Sequence, residues 1–208
     1  MRCRLIPYGV ALALGCTSPR VTPEPGGQVR PTGTPTRTVR IEFIAQSDTF
    51  APAAREYERL WATDGERIVR AMEAVSGLRF AYPAFADTAI RAIVFDGVSN
   101  SGYRTSPMRL RASYAPDTKK ATLIHELGHR LQAGLFRRDE EEHGPLFLWV
   151  YDVWTQLYGQ QLADEQVLIE KRRGGPYPKA WDEALALSAT ERAARWRALV
   201  AERMPTRR

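Results

Sequence analysis

His125, Glu126 and His129 stand in the order H-E-x-x-H. Four residues along an α-helix make a little more than one turn, so the two imidazoles leave the same face and can reach one ion at the ~2.0–2.1 Å of a zinc–nitrogen bond. Glu126 lies about 100° round the helix from His125, too far to join as a ligand but placed to take a proton from a water beside the ion. These residue types at this spacing describe a hydrolytic zinc (Zn2+) site with Glu126 as general base. The bland alternative is a pair of structural histidines on a core helix. With 3 histidines in 208 residues, a chance match to the pattern is on the order of one in a hundred. The third histidine, His143, follows close behind, so all of them fall between positions 125 and 143.

A catalytic zinc takes three protein ligands, and the motif supplies two. His143 is the expected third, because imidazole is the natural partner for two imidazoles and Gly144-Pro145 fixes a turn just after it. Its competitors are Asp152, the acidic run Asp139 to Glu142, and the more distant Glu165 and Glu170. Asp152 sits in the apolar run Leu148 to Trp154, where a lone carboxylate is costly to bury. It is expected to accept a hydrogen bond from a ligand imidazole or to pair with Arg130, unless it simply faces solvent.

These residues need a scaffold. Val39, Ile41 and Phe43 alternate with Arg40 and Glu42, the period-2 pattern of a half-buried strand. A helical pattern runs from Ala51 to Val75, with Pro52 near its start, Gly77 past its end and a possible break at Asp64-Gly65. Ile90 to Phe95 reads as a buried strand, Asn100 to Pro107 as a loop, and Met108 to Tyr114 as a strand with one wet face. The motif helix follows, capped by Asp117 or Thr118, with Leu123, Leu127 and Leu131 as its buried stripe. Gly128, lacking a side chain, permits the close approach of another element. Gly144 to Tyr158 is apolar nearly all round and reads as a buried helix. Helices near Leu162 to Arg172, Lys179 to Leu187 and Ala189 to Arg203 complete the chain, the last opened by a capping box at Ser188 and Glu191.

The first residues carry Arg2 and Arg4, an apolar run from Leu5 to Leu14, then Gly15-Cys16. This reads as a signal peptide over 1–15, too short to span a bilayer. Residues 16–38 are rich in Pro, Thr and Gly and read as an extended linker, leaving 39–208 as the folded domain. The only other cysteine, Cys3, lies in the segment that would be removed, so no disulfide is expected. The formal charge of +6 comes mostly from the first 40 residues, with 6 Arg and 1 Glu; residues 41–208 hold 24 basic and 23 acidic groups. A domain so balanced carries no electrostatic footprint for nucleic acid.

The order of a helix between strands, a strand, the H-E-x-x-H helix and then helices alone resembles the zincin metallopeptidases, the gluzincin-like ones in particular. It implies an α+β fold: a small mixed sheet, then the active-site helix and a helical C-terminal part. It also implies hydrolysis of a peptide or protein substrate that lies along the edge of the strand before the motif helix, here Met108 to Tyr114. The metzincin variant is excluded, because Gln132 and Leu135 stand where it has Gly and His. A gluzincin glutamate is also absent where expected, since Leu148 and Trp149 stand there. Tyr114, Tyr151 or a nearby arginine is expected to stabilise the oxyanion. Gly15-Cys16 resembles the lipobox of bacterial lipoproteins, which implies a lipid anchor at Cys16 and a place in the bacterial cell envelope; plain secretion is the alternative. The rival in another class is a non-catalytic envelope lipoprotein that uses zinc as a staple.

Overall fold

The structure, a computed structural model, describes residues 39–80, 89–102, 107–136 and 143–204. The expected signal peptide, the linker with Cys16, and the acidic run Asp139 to Glu142 lie outside the described residues. The alternation at the start of the domain becomes strand β1 (Ile41–Ala45), with Val39 and Phe43 buried and Arg40 and Glu42 exposed. Helix α1 (Ala51–Ser76) follows and ends where Gly77 turns left-handed at φ 70°, its N–H returning to the Glu73 carbonyl. Asp64-Gly65 does not break this helix. The Trp61 ring lies where a Cβ on residue 65 would come within 2.8 Å, so glycine there serves packing and not a turn.

Strands β2 (Ile90–Phe95) and β3 (Met108–Arg111) complete a three-stranded sheet in the order β1-β2-β3. The fold is α+β, as expected, but the sheet is wholly parallel where a mixed one was expected. Among the described residues the antiparallel element shrinks to a single bridge between Asn100 and Arg109. β2 is also less enclosed than its composition suggested. Ile90, Ala92 and Val94 are buried, but Ile93 and Phe95 turn to the sheet's other side and are half-buried.

Among the described residues six α-helices accompany the sheet: α1, then α2 (Pro116–Gln132), α3 (His143–Tyr158), α4 (Gln160–Lys171), α5 (Tyr177–Leu185) and α6 (Ala189–Arg203). α3 is the hub, touching every other helix, and nine of its side chains from Leu146 to Leu157 are buried. Four tryptophans, Trp149, Trp154, Trp181 and Trp196, are buried with it, and each indole N–H has an acceptor. That pairing matters because an unsatisfied buried donor costs about 1–3 kcal/mol. No helix of the described residues is long and apolar enough to cross a membrane.

Candidate metal centre

α2 starts without a side-chain cap. Ala115 is the N-cap and Pro116 occupies the first turn, so the expected caps at Asp117 and Thr118 are already inside the helix. The helix then runs through the middle of the domain, buried from Ala121 to Gln132. Leu123, Leu127 and Leu131 pack into the core as their spacing required, and the opposite stripe carries His125 and His129.

Gly128 sets the distance to the next helix. A Cβ there would meet Leu146 Cδ1 at 2.6 Å and the Trp149 ring at 3.2 Å, so α3 can come this close only because residue 128 has no side chain. His143 is the first residue of α3 and is thereby delivered to the histidines of α2. The ring centroids of His125, His129 and His143 form a triangle with sides of 4.9, 5.6 and 4.8 Å. One ligand atom from each ring can be chosen so that all three lie within 4.8 Å of one another. The Nε2 atoms of His125 and His129 are 3.1 Å apart. Two nitrogens of a tetrahedral ion with ~2.05 Å bonds are separated by about 3.3 Å, so this pair already has ligand spacing. The three imidazoles fit a zinc-type ion.

The surroundings of His125 favour the form that a metal ion would bind. Burial pushes His125 below its usual range, which keeps it neutral with a lone pair to give. Its Nδ1 lies 2.8 Å from Glu170 Oε1. The other oxygen of Glu170 accepts from Trp181 Nε1 at 2.9 Å. Burial alone would raise Glu170, but His125, Arg173 and the Trp181 N–H outweigh it and keep the group a carboxylate. Glu170 thus backs the ring of His125 and is not a third ligand. Sequence reading had placed it only among the distant competitors. The available signal was its position on α4, where Ala163, Val167 and Glu170 recur at helical spacing and all point inward.

Glu126 is 3% exposed, and burial raises its carboxyl to about 7. His129, Arg173 and His143 pull the other way, which places all three within electrostatic range of it. Tyr177, the first residue of α5, packs its ring 4.4 Å from His143 and parallel to His125 at 6.2 Å. Arg173 lies over the Tyr177 ring at 5.5 Å and donates to the Tyr114 hydroxyl at 3.4 Å. Of the residues named for the oxyanion, an arginine, Arg173, is within electrostatic range of His125 and Glu126, and Tyr114 meets that arginine; Tyr177, unanticipated, packs on the histidines themselves. Tyr151 is elsewhere, donating to Asp164 at 2.7 Å.

Asp152 is a correction. It neither orients an imidazole nor pairs with Arg130; Arg192 grips both its oxygens, at 3.1 and 2.5 Å. Glu165, the other distant candidate, is exposed and pairs with Gln161. The edge of β3 is corrected as well. Arg109 exchanges both its backbone bonds with Asn100, the Arg111 N–H donates to Ser99 Oγ, and the Arg111 carbonyl accepts from Tyr57. The outward groups that strand addition would use at Arg109 and Arg111 are already engaged.

No protein family, no curated protein and no solved structure matches the chain.

Proposed function

We propose that the chain is a zinc-dependent peptidase, with His125, His129 and His143 as ligands and Glu126 as general base. The observation that carries this reading is the convergence of all three histidines beside a buried glutamate. Zinc held there would polarise a peptide carbonyl and acidify water. Glu126 takes the proton of the attacking water, and its buried position favours a carboxyl that can both accept and return a proton near neutral pH. Glu170 fixes the ring of His125, and Phe147, Tyr177 and Trp181 keep the surroundings apolar. Tyr177, packed on His143, would supply a hydroxyl donor for charge developing on the carbonyl oxygen. We place the enzyme in the bacterial cell envelope, anchored by lipid at Cys16.

The test is metal analysis of the purified protein followed by a chelator-sensitive peptidase assay on unstructured protein. One zinc per chain, with turnover abolished by chelator and restored by zinc, is expected. One zinc per chain without turnover on any peptide would support a non-catalytic zinc staple instead.

A further inference from the structure

Arg173 occupies the turn between α4 and α5, and its backbone is pinned. Its N–H returns to the Glu170 carbonyl at 2.9 Å, the Gly174 N–H to Lys171 at 3.2 Å, and the Tyr177 N–H to Gly174 at 3.3 Å. Gly174 and Gly175 both adopt left-handed conformations, φ 73° and 58°, which side chains other than glycine adopt poorly. The turn therefore presents Arg173 and Tyr177 together, as a fixed pair, beside the histidine cluster.

The guanidinium has donors to spare. It carries five N–H donors and a permanent charge, and its hydrogen-bond partners are phenols, Tyr114 at 3.4 Å and Tyr177. Tyr177 offers the face of a ring, 5.5 Å from Cζ. The nearest buried carboxylate, Glu170, has one oxygen on His125 and the other on Trp181. Among the described residues Arg173 forms no ion pair. A half-buried arginine with no carboxylate in ion-pair contact is suited to a carboxylate arriving from outside, which its planar fork can bind through two parallel hydrogen bonds.

Its location narrows the ligand. The guanidinium lies over the Tyr177 ring, 5.5 Å from its centroid, and that ring packs 4.4 Å from His143. At one ring's remove, Arg173 serves poorly as a contact for the reacting carbonyl. It is well placed for a group about one residue along an extended substrate, some 3.3–3.6 Å of chain plus a hydrogen bond. We propose that Arg173 selects substrates bearing a carboxylate within about one residue of the scissile bond, whether the free C-terminus or an acidic side chain. The proposal rests on the peptidase reading for its substrate. Arg173 acts here as a specificity residue.

The experiment uses the full chain with Glu126→Gln to prevent turnover, titrated calorimetrically with and without zinc. The probes are N-acetyl-Phe-Leu and its C-terminal amide, then N-acetyl-Phe-Asp amide and N-acetyl-Phe-Asn amide. At least one acid should bind about 10- to 100-fold tighter than its neutral partner, the range of a charge-assisted pair. The pair that shows the gap identifies the source of the carboxylate. Arg173→Gln should close the gap while leaving the circular dichroism spectrum unchanged, and Arg172→Gln, on the exposed neighbour, should leave the gap intact. In the active chain Arg173→Gln should raise KM for the acid with kcat unchanged. Equal binding of both acid and neutral pairs, or a loss confined to kcat for acid and amide alike, overturns the proposal. The two readings fail separately: a chain that binds zinc and cleaves acid and amide alike loses the clamp, whereas one that binds no zinc but still prefers the acid loses the peptidase.

Discussion

The carboxylates nearest the histidine cluster do opposite things because their neighbours differ. Glu170 is surrounded by donors and stays ionised, while Glu126 is desolvated and rises to about 7. Glu126→Gln should therefore keep zinc, measured as metal per chain, and lose at least ~10²-fold in turnover, because an amide cannot accept the proton. Glu170→Ala should do the reverse: zinc affinity, read by competition with a chromophoric chelator, should fall about 10- to 100-fold as the His125 ring loses its backing. A pH dependence follows for the metal-free protein. Above the ordinary carboxyl value of 4.5 the unfolded chain releases the Glu126 proton while the folded chain retains it. Stability should therefore fall as pH rises from about 4.5 to about 7 and level off beyond. The size is on the order of 3 kcal/mol, and Glu126→Gln should flatten the curve in urea titrations across this window.

At the scale of elements, one atom's width between α2 and α3 decides whether His143 reaches the other two histidines. A methyl group at position 128 gains up to about 1 kcal/mol in helix propensity, but it meets Leu146 at 2.6 Å and Trp149 at 3.2 Å. Overpacking of this kind costs about 1–3 kcal/mol, so the clash should win. Gly128→Ala is expected to lower the thermal midpoint and also to weaken zinc binding, because the helix pushed away carries a ligand. An unchanged zinc affinity in a destabilised variant would show that the α2–α3 spacing does not position His143. The motif, the buried stripe of α2 and the need for a small residue at 128 were all legible in the sequence. The neighbour that needs the space was not, since nothing local to Gly128 names Leu146 or Trp149.

Across the whole molecule, the ion pair that fastens the C-terminal helix is separate from the groups that face the histidines. Arg192 grips Asp152 and also donates to the Leu187 carbonyl at 2.7 Å, joining α6 to α3, while Trp196 donates to the Ser76 carbonyl at 2.7 Å and joins α6 to α1. Arg192→Ala should destabilise the chain by about 2–3 kcal/mol in denaturant unfolding, because it strands a partly buried carboxylate. Zinc affinity should stay at the parent value. A large loss of zinc binding in that variant would mean that α6 supports the centre after all.

The sequence by itself determined what short-range periodicity encodes. The four-residue spacing of His125 and His129, the alternation in β1, the all-round apolarity of α3 and the Ser188–Glu191 box are each written within a few residues, and the structure contains each of them. Tertiary structure decided everything that depends on partners distant in the chain. Asp152 is equally plausible beside a metal, beside Arg130 or in solvent until the helix bearing Arg192, forty positions on, packs against it. Glu170 becomes the support of His125 only because α4 returns alongside α2. The parallel direction of β3 and the closure of its edge by Ser99 and Asn100 follow from the route of the connection between strands, which alternation cannot encode, since a strand shows the same period in either direction.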